Sequence, residues 1–361
     1  MSNRVWVLGA TGRTGRAIAA ALHGSGVELV LAGRDRDRVQ GVADELGGAV
    51  TVTVGSLDRV LSQLAGDPPG VVVSTVGPFT RTAALVARAC PAGTHYVDLS
   101  NELGGVQDVL SLDRQAASRD QVFVAGAGFG VLATESAVLA VCEGRPRPQR
   151  VRVDALASLA VEAGHVGAAL GATIVEVVAA GGREVRGGRL IHAASGGHRG
   201  EVVSPDGDVV VTGAGSNGEL IAAWRASDAD AVVAASPFAP ANPLVRASLP
   251  AVSALFRVPA VGRLATRAVA RIPMRPAPMA RAASWGHARA WWPGGEVHDA
   301  WTRTGDAHDF TAAVAVEVTE RLLRGEGRPG AHTPGALFGI GLVKAAGGEV
   351  LIDPAIPTRR G

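Results

Sequence analysis

RVWVLGATGRTGRAIAAAL, residues 4–22, decides the fold. Its first five residues are β-branched, aromatic or aliphatic apart from Arg4, the composition of a strand buried on both faces. Gly9-Ala10-Thr11-Gly12-Arg13-Thr14-Gly15 then turns the chain, and the following residues place apolar side chains at helical spacing up to a glycine stop. A G-x-x-G-x-x-G turn between a strand and a helix offers backbone N–H groups and the positive end of the helix dipole, where a pyrophosphate binds. Gly9, Thr11, Gly12, Arg13, Thr14 and Gly15 are therefore candidate cofactor-binding residues.

The alternation continues outward from that unit. VELVLAGR (27–34) reads as a strand, DRVQGVADEL as a helix, GAVTVTVGS as a strand and LDRVLSQLAG as a helix. GVVVSTVGPF (70–79), THYVDLS and QVFVAGAGFG read as further strands, separated by the helices TAALVARACPAG and VLSLDRQAASR. Strands and helices in this order give an α/β fold, a doubly wound parallel sheet with right-handed crossovers of the Rossmann type. Ligands of such sheets sit outside the carboxyl ends of the strands. That adds Thr75, Val76, Gly77, Pro78, Phe79 and Gly126 to the cofactor candidates. His95, Tyr96, Asp98 and Glu102 form a compact ionisable cluster on one such segment, so these four are the proton-transfer candidates, with His95, Tyr96 and Asp98 the catalytic expectations. Strand alternation puts His95 and Val97 on one face and Tyr96 and Asp98 on the other, so the four cannot share one cleft.

In enzymes that use NAD an acid ends the second strand and binds the ribose 2′-hydroxyl. Here that position reads Ala32-Gly33-Arg34, with Arg36 and Arg38 close behind. Guanidinium groups suit a 2′-phosphate, and Gly33 is expected to leave room for it, so Arg34 and Arg38 favour NADPH/NADP+ over the unphosphorylated cofactor. Asp35 is the counter-signal, one position late for the ribose contact.

At 361 residues, 47% hydrophobic and 19% charged, the chain has material for a large core, and its formal net charge of +2 gives no electrostatic case for nucleic acid. Cys90 and Cys142 lie in apolar helix-like contexts without the spacing of a metal site or redox pair, so no metal is expected. The N-terminus has no apolar signal region, which makes the cytoplasm the expected compartment. Lys344 is the only lysine and Tyr96 the only tyrosine. Tyr96 is followed four places later by Ser100, so the Tyr-x-x-x-Lys pair of short-chain dehydrogenases is excluded.

After Val131 the pattern changes to that of an α+β insertion, with a strand at VRVDALASLAV (151–161) and paired strands around Asp206-Gly207. From Ala231 to Gly295 there is no Asp or Glu but eight arginines, Arg246, Arg257, Arg263, Arg267, Arg271, Arg275, Arg281 and Arg289. Prolines bracket the stretch, which reads as one irregular helical segment, either a solvated surface, an anion-binding lid, a carrier-protein dock or a membrane-surface helix, with membrane association the least favoured. A hairpin around Pro293-Gly294-Gly295 follows, and then two helices, HDFTAAVAVEVTERLLRG with Asp309 as candidate N-cap, and TPGALFGIGLVKAAGG. The expected domains are 1–135 (cofactor), 136–305 (inserted substrate and dimerisation domain) and 306–361 (C-terminal helices returning to the first domain).

GATGRTGR, AGRD, STVGPF, CPAGTHYVDLSNE and HTPGALFG together resemble the saccharopine-dehydrogenase-like NADP-binding oxidoreductases, over residues 3–135 and 285–350. The resemblance implies a Rossmann domain with an inserted mixed α/β domain. Its better understood members reduce a C=N bond, and an actinobacterial branch of trans-acting enoyl reductases reduces a C=C bond. In that branch a Ser-Gly-Gly-Thr-like turn precedes a helix where this chain reads Glu162-Ala163-Gly164-His165-Val166, so His165 is a candidate replacement in catalysis. The expected activity is NADPH-dependent hydride transfer to a C=N bond of a small-molecule substrate. A C=C bond of a carrier-tethered polyketide or lipid intermediate is the alternative within enzymes. A non-catalytic NADP(H) sensor is the alternative outside them. Homodimerisation is a base-rate expectation.

Overall fold

The computed structural model describes every residue except 1, 48–49, 162, 238–242 and 356–361, and describes 168–170 and 243–247 by their backbone alone. Glu162 and the side chain of Arg246 thus lie outside the described residues. Two compact units divide the chain: residues 1–129, 308–338 and 345–347 form one, and residues 130–307, 339–344 and 348–361 the other.

The first unit opens with β1 (Arg4–Leu8), α1 (Arg13–Gly24), β2 (Glu28–Gly33), α2 (Arg36–Leu46), β3 (Thr51–Val54) and α3 (Leu57–Gln63). It continues through β4 (Val71–Ser74), α4 (Phe79–Ala89), β5 (His95–Asp98), α5 (Leu103–Leu110), α6 (Asp113–Ser118), β6 (Val122–Val124) and the start of α7 (Phe129–Cys142). Val5, Val7, Leu31 and Val71, Val72 and Val73 are wholly buried. Consecutive buried residues of this kind mean that helices cover both faces of the sheet, which is why its strands read as unbroken apolar runs. The sequence reading has VLSLDRQAASR as one helix; the chain forms two, α5 and α6.

The second unit holds β7 (Arg150–Leu156), β8 (Gly164–His165), α8 (Gly167–Ala180), β9 (Gly182–Arg186), β10 (Arg189–Ala193), β11 (Gly200–Val203), β12 (Val209–Ala214), α9 (Gly218–Ser227) and β13 (Ala231–Ser236). Then come α10 (Pro243–Phe256), α11 (Pro259–Ala270), β14 (Pro273–Met274), β15 (Ser284–Trp291) and β16 (Val297–Thr304). The chain ends with α12 (Ala307–Leu323), β17 (Gly330–His332), α13 (Pro334–Phe338), α14 (Gly341–Ala345) and β18 (Glu349–Ile352).

The first sheet has seven strands in the order β17-β6-β5-β4-β1-β2-β3, and each pairing in it is parallel. Strand order reverses between β1 and β4, the switch point at which ligands of such sheets bind. β17 joins this edge beside β6 where the sequence reading has only helices after residue 306. That reading also makes Asp309 an N-cap, but α12 begins at Ala307 and Asp309 falls inside its first turn.

The second sheet is mixed. Its main path is β10-β9-β13-β7-β15-β16-β18, with β12 and β11 hanging from β13. The β11–β12 and β15–β16 hairpins stand where the turn residues place them. The basic stretch differs from the expected single irregular helix: it opens on β13, a strand interior to the sheet, and continues as two helices, α10 and α11. A cluster of Leu156, Val202, Val210, Ala283, Trp285 and Trp301 packs one face of this sheet. On the other face α7 presses close: a Cβ at Gly286 would stand 2.5 Å from the backbone of Ala133, so only glycine fits there. Among the described residues no helix is long and apolar enough to cross a membrane.

Candidate cofactor site

At the carboxyl end of the seven-stranded sheet Ala32, Leu8, Ser74 and Asp98 stand in register on neighbouring strands. The loops that follow them are therefore side by side. Gly9 N and Ala10 N donate to Ala32 O at 3.0 and 3.3 Å, and Gly12 N donates to Gly9 O at 3.0 Å. Gly9 has φ +83°, and a Cβ on it would lie 2.5 Å from Thr75 Oγ1. A Cβ on Gly15 would lie 2.3 Å from Gly9 O. Both glycines are thus required by the turn itself.

Gly12 differs. It is exposed, it is the N-cap of α1 without a side-chain cap, and a Cβ there would approach only Gly9 O, at 3.4 Å. The first turn of a helix has N–H groups with no intrahelical partner. Where the capping position has no side chain, those groups remain a cradle for an anion, and the loop fits the pyrophosphate of a dinucleotide. Thr11 and Thr14 are half-buried beside it and Arg13 is exposed.

Across the switch point Thr75 braces the loop. Its Oγ1 donates between Leu8 O at 2.9 Å and Gly9 O at 3.2 Å. Val76 and Gly77 are half-buried, and Thr82 Oγ1 donates to Val76 O. Pro78 is the buried N-cap of α4, and half-buried Phe79 is the first residue of that helix.

At the end of β2 Arg34 and Arg38 are exposed. Asp35 Oδ1 accepts Arg38 N at 3.1 Å and caps α2. Asp35 thus caps a helix through one oxygen, beside the two exposed arginines. At Gly33 packing also demands glycine, since a Cβ there would be 2.6 Å from Val39 Cγ2.

The proton-transfer candidates are dispersed. His95 begins β5 and pairs in register with Val71, at the end of the sheet opposite the glycine loop. Its Nδ1 accepts Val122 N at 3.0 Å, and burial pushes its pKa down, which keeps the ring neutral. His95 is therefore a buried support for the start of β6, away from the glycine loop. Tyr96 is fully buried, edge-on to Phe123, and its hydroxyl donates to Asp98 Oδ2 at 3.0 Å. Burial first, and then the charge of Asp98, raise the phenol well above its usual pKa.

Asp98 ends β5 at the cofactor side. Its Oδ1 accepts Ser100 N at 2.8 Å, Ser100 Oγ at 2.6 Å and Gly126 N at 2.9 Å. Burial raises its pKa despite those bonds. Its visible task is to hold Gly126, at φ +75°, in the loop after β6. Glu102 is buried at the N-cap of α5. His165, on β8 in the second unit, is exposed and pairs through its backbone with Pro273.

Residues 5–124 match the model for the saccharopine dehydrogenase NADP binding domain. The chain carries that NADP-binding domain. Two proteins from strains of Mycobacterium tuberculosis, provisionally named trans-acting enoyl reductases, are 34% identical over 142 residues. That alignment covers 37% of this chain and 34% of theirs, so the chain spans about a third of the length of the curated relatives it matches. Among solved structures, a metagenomic short-chain oxidoreductase in complex with NADP aligns with 35% of this chain and 81% of its own at 19% identity and TM-score 0.30. An NADPH-dependent reductase of bacilysin biosynthesis aligns with 35% of this chain and 76% of its own at 12% identity and TM-score 0.31.

The first compact unit also contains contacts that sequence reasoning missed. Thr14 Oγ1 lies 3.4 Å from both ring nitrogens of His308, and Phe129 N donates to Thr311 Oγ1 at 3.0 Å. Both partners come from the first two turns of α12, 294 and 182 residues away in sequence, where no local signal marks them.

Proposed function

We propose that this protein is an NADPH-dependent reductase. The observation that carries the reading is the open, uncapped Gly12 turn at the switch point of a domain matched to the NADP-binding family. Gly9, Gly12 and Gly15 shape the pyrophosphate loop, Thr11, Arg13 and Thr14 line it, and Arg34 and Arg38 take the 2′-phosphate. Thr75 holds the loop against β4, while Val76, Gly77, Pro78, Phe79 and Gly126 border the nicotinamide side. The bound cofactor supplies a hydride to a polarised double bond.

The relatives' name favours an activated C=C bond, on a small-molecule or carrier-tethered enoyl substrate. A second reading, reduction of a C=N bond, is favoured by the state of the β5 cluster. Tyr96 and Asp98 are buried and bonded to one another, to Ser100 and to Gly126, and hydride transfer to an iminium carbon requires no proton from the protein.

Titration with NADPH and NADH, followed by loss of nicotinamide absorbance with enoyl thioesters and with cyclic imines, tests the reading and chooses the bond. Binding without turnover on either panel would return the sensor reading. Arg34→Asp is expected to weaken NADPH by roughly 10- to 100-fold relative to NADH, the worth of a charge-assisted phosphate contact. Unchanged selectivity would remove Arg34 from the site.

A further inference from the structure

We propose that His308 is a cofactor-binding residue that takes the pyrophosphate of the dinucleotide, a role that rests on the NADPH reading above. The anion cradle lies at the first turn of α1, and Thr14 belongs to that turn. A pyrophosphate accepted by these amides stands beside the Thr14 hydroxyl, and the His308 imidazole, 3.4 Å from that hydroxyl, borders the same position. An imidazole N–H is a suitable donor to a phosphate oxygen, and more strongly so when the ring is charged.

The ring is held there by more than its own contact. Thr311, one turn further along α12, accepts Phe129 N at 3.0 Å. Phe310 packs edge-on against Phe129 with centroids 6.4 Å apart. A Cβ at Gly128 would stand 3.0 Å from Thr311 Cγ2, so glycine at that position lets the helix approach the loop after β6. The first turn of α12 is thereby seated on one loop of the sheet's carboxyl end and reaches the other through His308. A half-buried side chain on a fixed backbone loses little freedom when it binds. His308 lies outside residues 5–124, so the matched domain is completed by a segment from the far end of the chain.

Calorimetric titration of the full chain with NADPH and with 2′-AMP, which carries the 2′-phosphate and no pyrophosphate, tests the assignment. His308→Ala is expected to raise the Kd for NADPH about tenfold and to leave that for 2′-AMP unchanged. His308→Gln, which keeps an N–H donor, is expected within about threefold of the parent on the same scale. Unchanged NADPH binding in His308→Ala would overturn the proposal, as would loss of both ligands together in both variants. If the parent chain binds 2′-AMP and NADPH no better than NADH, the NADPH reading falls first and the role of His308 with it.

Discussion

Asp98 in the seven-stranded sheet and Asp154 in the nine-stranded sheet are both fully buried, and each accepts several hydrogen bonds, yet they hold their protons in opposite ways. Asp98 is met by neutral donors: the Tyr96 hydroxyl, the Ser100 hydroxyl and two backbone amides. Burial outweighs them and its pKa is raised. Asp154 suffers the same burial, but hydrogen bonds from His287 and Arg152, and then their charges, overcome it and bring the pKa down to about 2.

The second cluster continues across three strands. His287 Nε2 meets Asp299 Oδ1 at 2.7 Å while its Nδ1 faces Asp154, and Arg289 grips Asp299 through two nitrogens at 2.8 and 2.9 Å. Burial lowers the pKa of His287, but two carboxylates overcome it and leave it raised, so the ring is an imidazolium stacked on Trp301. The row reads cation, anion, cation, anion, cation. A buried charge is tolerable when its neighbour is a countercharge, and it is driven towards neutrality when its neighbours are dipoles alone.

The sharpest way to break this contrast is Asp154→Ala. It leaves Arg152 and His287 facing each other without the anion between them, and one-sided loss of a buried pair costs about 3–5 kcal/mol. Urea unfolding at neutral pH should show that loss; a cost near 1 kcal/mol would mean that the row is solvated in solution.

Acid titration comes next in size. Asp154 has a folded pKa of about 2 against an ordinary 3.8, so its contribution is present above pH ~4 and disappears as the pH falls through about 2. The shift corresponds to about 2 kcal/mol. Unfolding free energies measured between pH 5 and pH 2 should fall on that account, and a shallower fall in Asp154→Asn over the same window would assign the difference to this group.

How far such features can be read in advance depends on whether their cause is local. The glycine loop was legible because φ at Gly9 and the close approach at Gly15 are set by residues within one turn. The strand runs were legible because two covered faces impose unbroken apolar sequence. β17 was not, since Gly-Ala-His carries no strand pattern and becomes a strand through the open edge of β6. That His95 lies at the amino end of β5 depends on where the strand begins, which the sequence marks less sharply than its apolar run. The row through Asp154 was invisible for another reason: Arg152, Asp154, His287, Arg289 and Asp299 meet only once the register of β7, β15 and β16 is known. The contact of His308 with Thr14 is of the same kind.

The smallest expected effect sharpens the contrast most directly. Asp98→Asn preserves the shape of the side chain; its carbonyl can still accept Ser100 and Gly126, and its amide can donate to the Tyr96 oxygen. The charge-assisted strength of those hydrogen bonds is lost, but so is the cost of ionising a group enclosed by neutral donors. The two changes oppose each other, so neutral-pH stability should move by only about 1 kcal/mol. The pH dependence carries the information. A carboxyl whose folded pKa is raised contributes stability below its unfolded value of 3.8 and loses it as the pH climbs through the folded value. Relative to Asp98→Asn, the parent protein should therefore lose stability as the pH rises from about 4, whereas Asp154 makes it lose stability as the pH falls below that point. A parent curve that rises relative to the variant would place a countercharge beside Asp98 and erase the distinction between the two carboxylates.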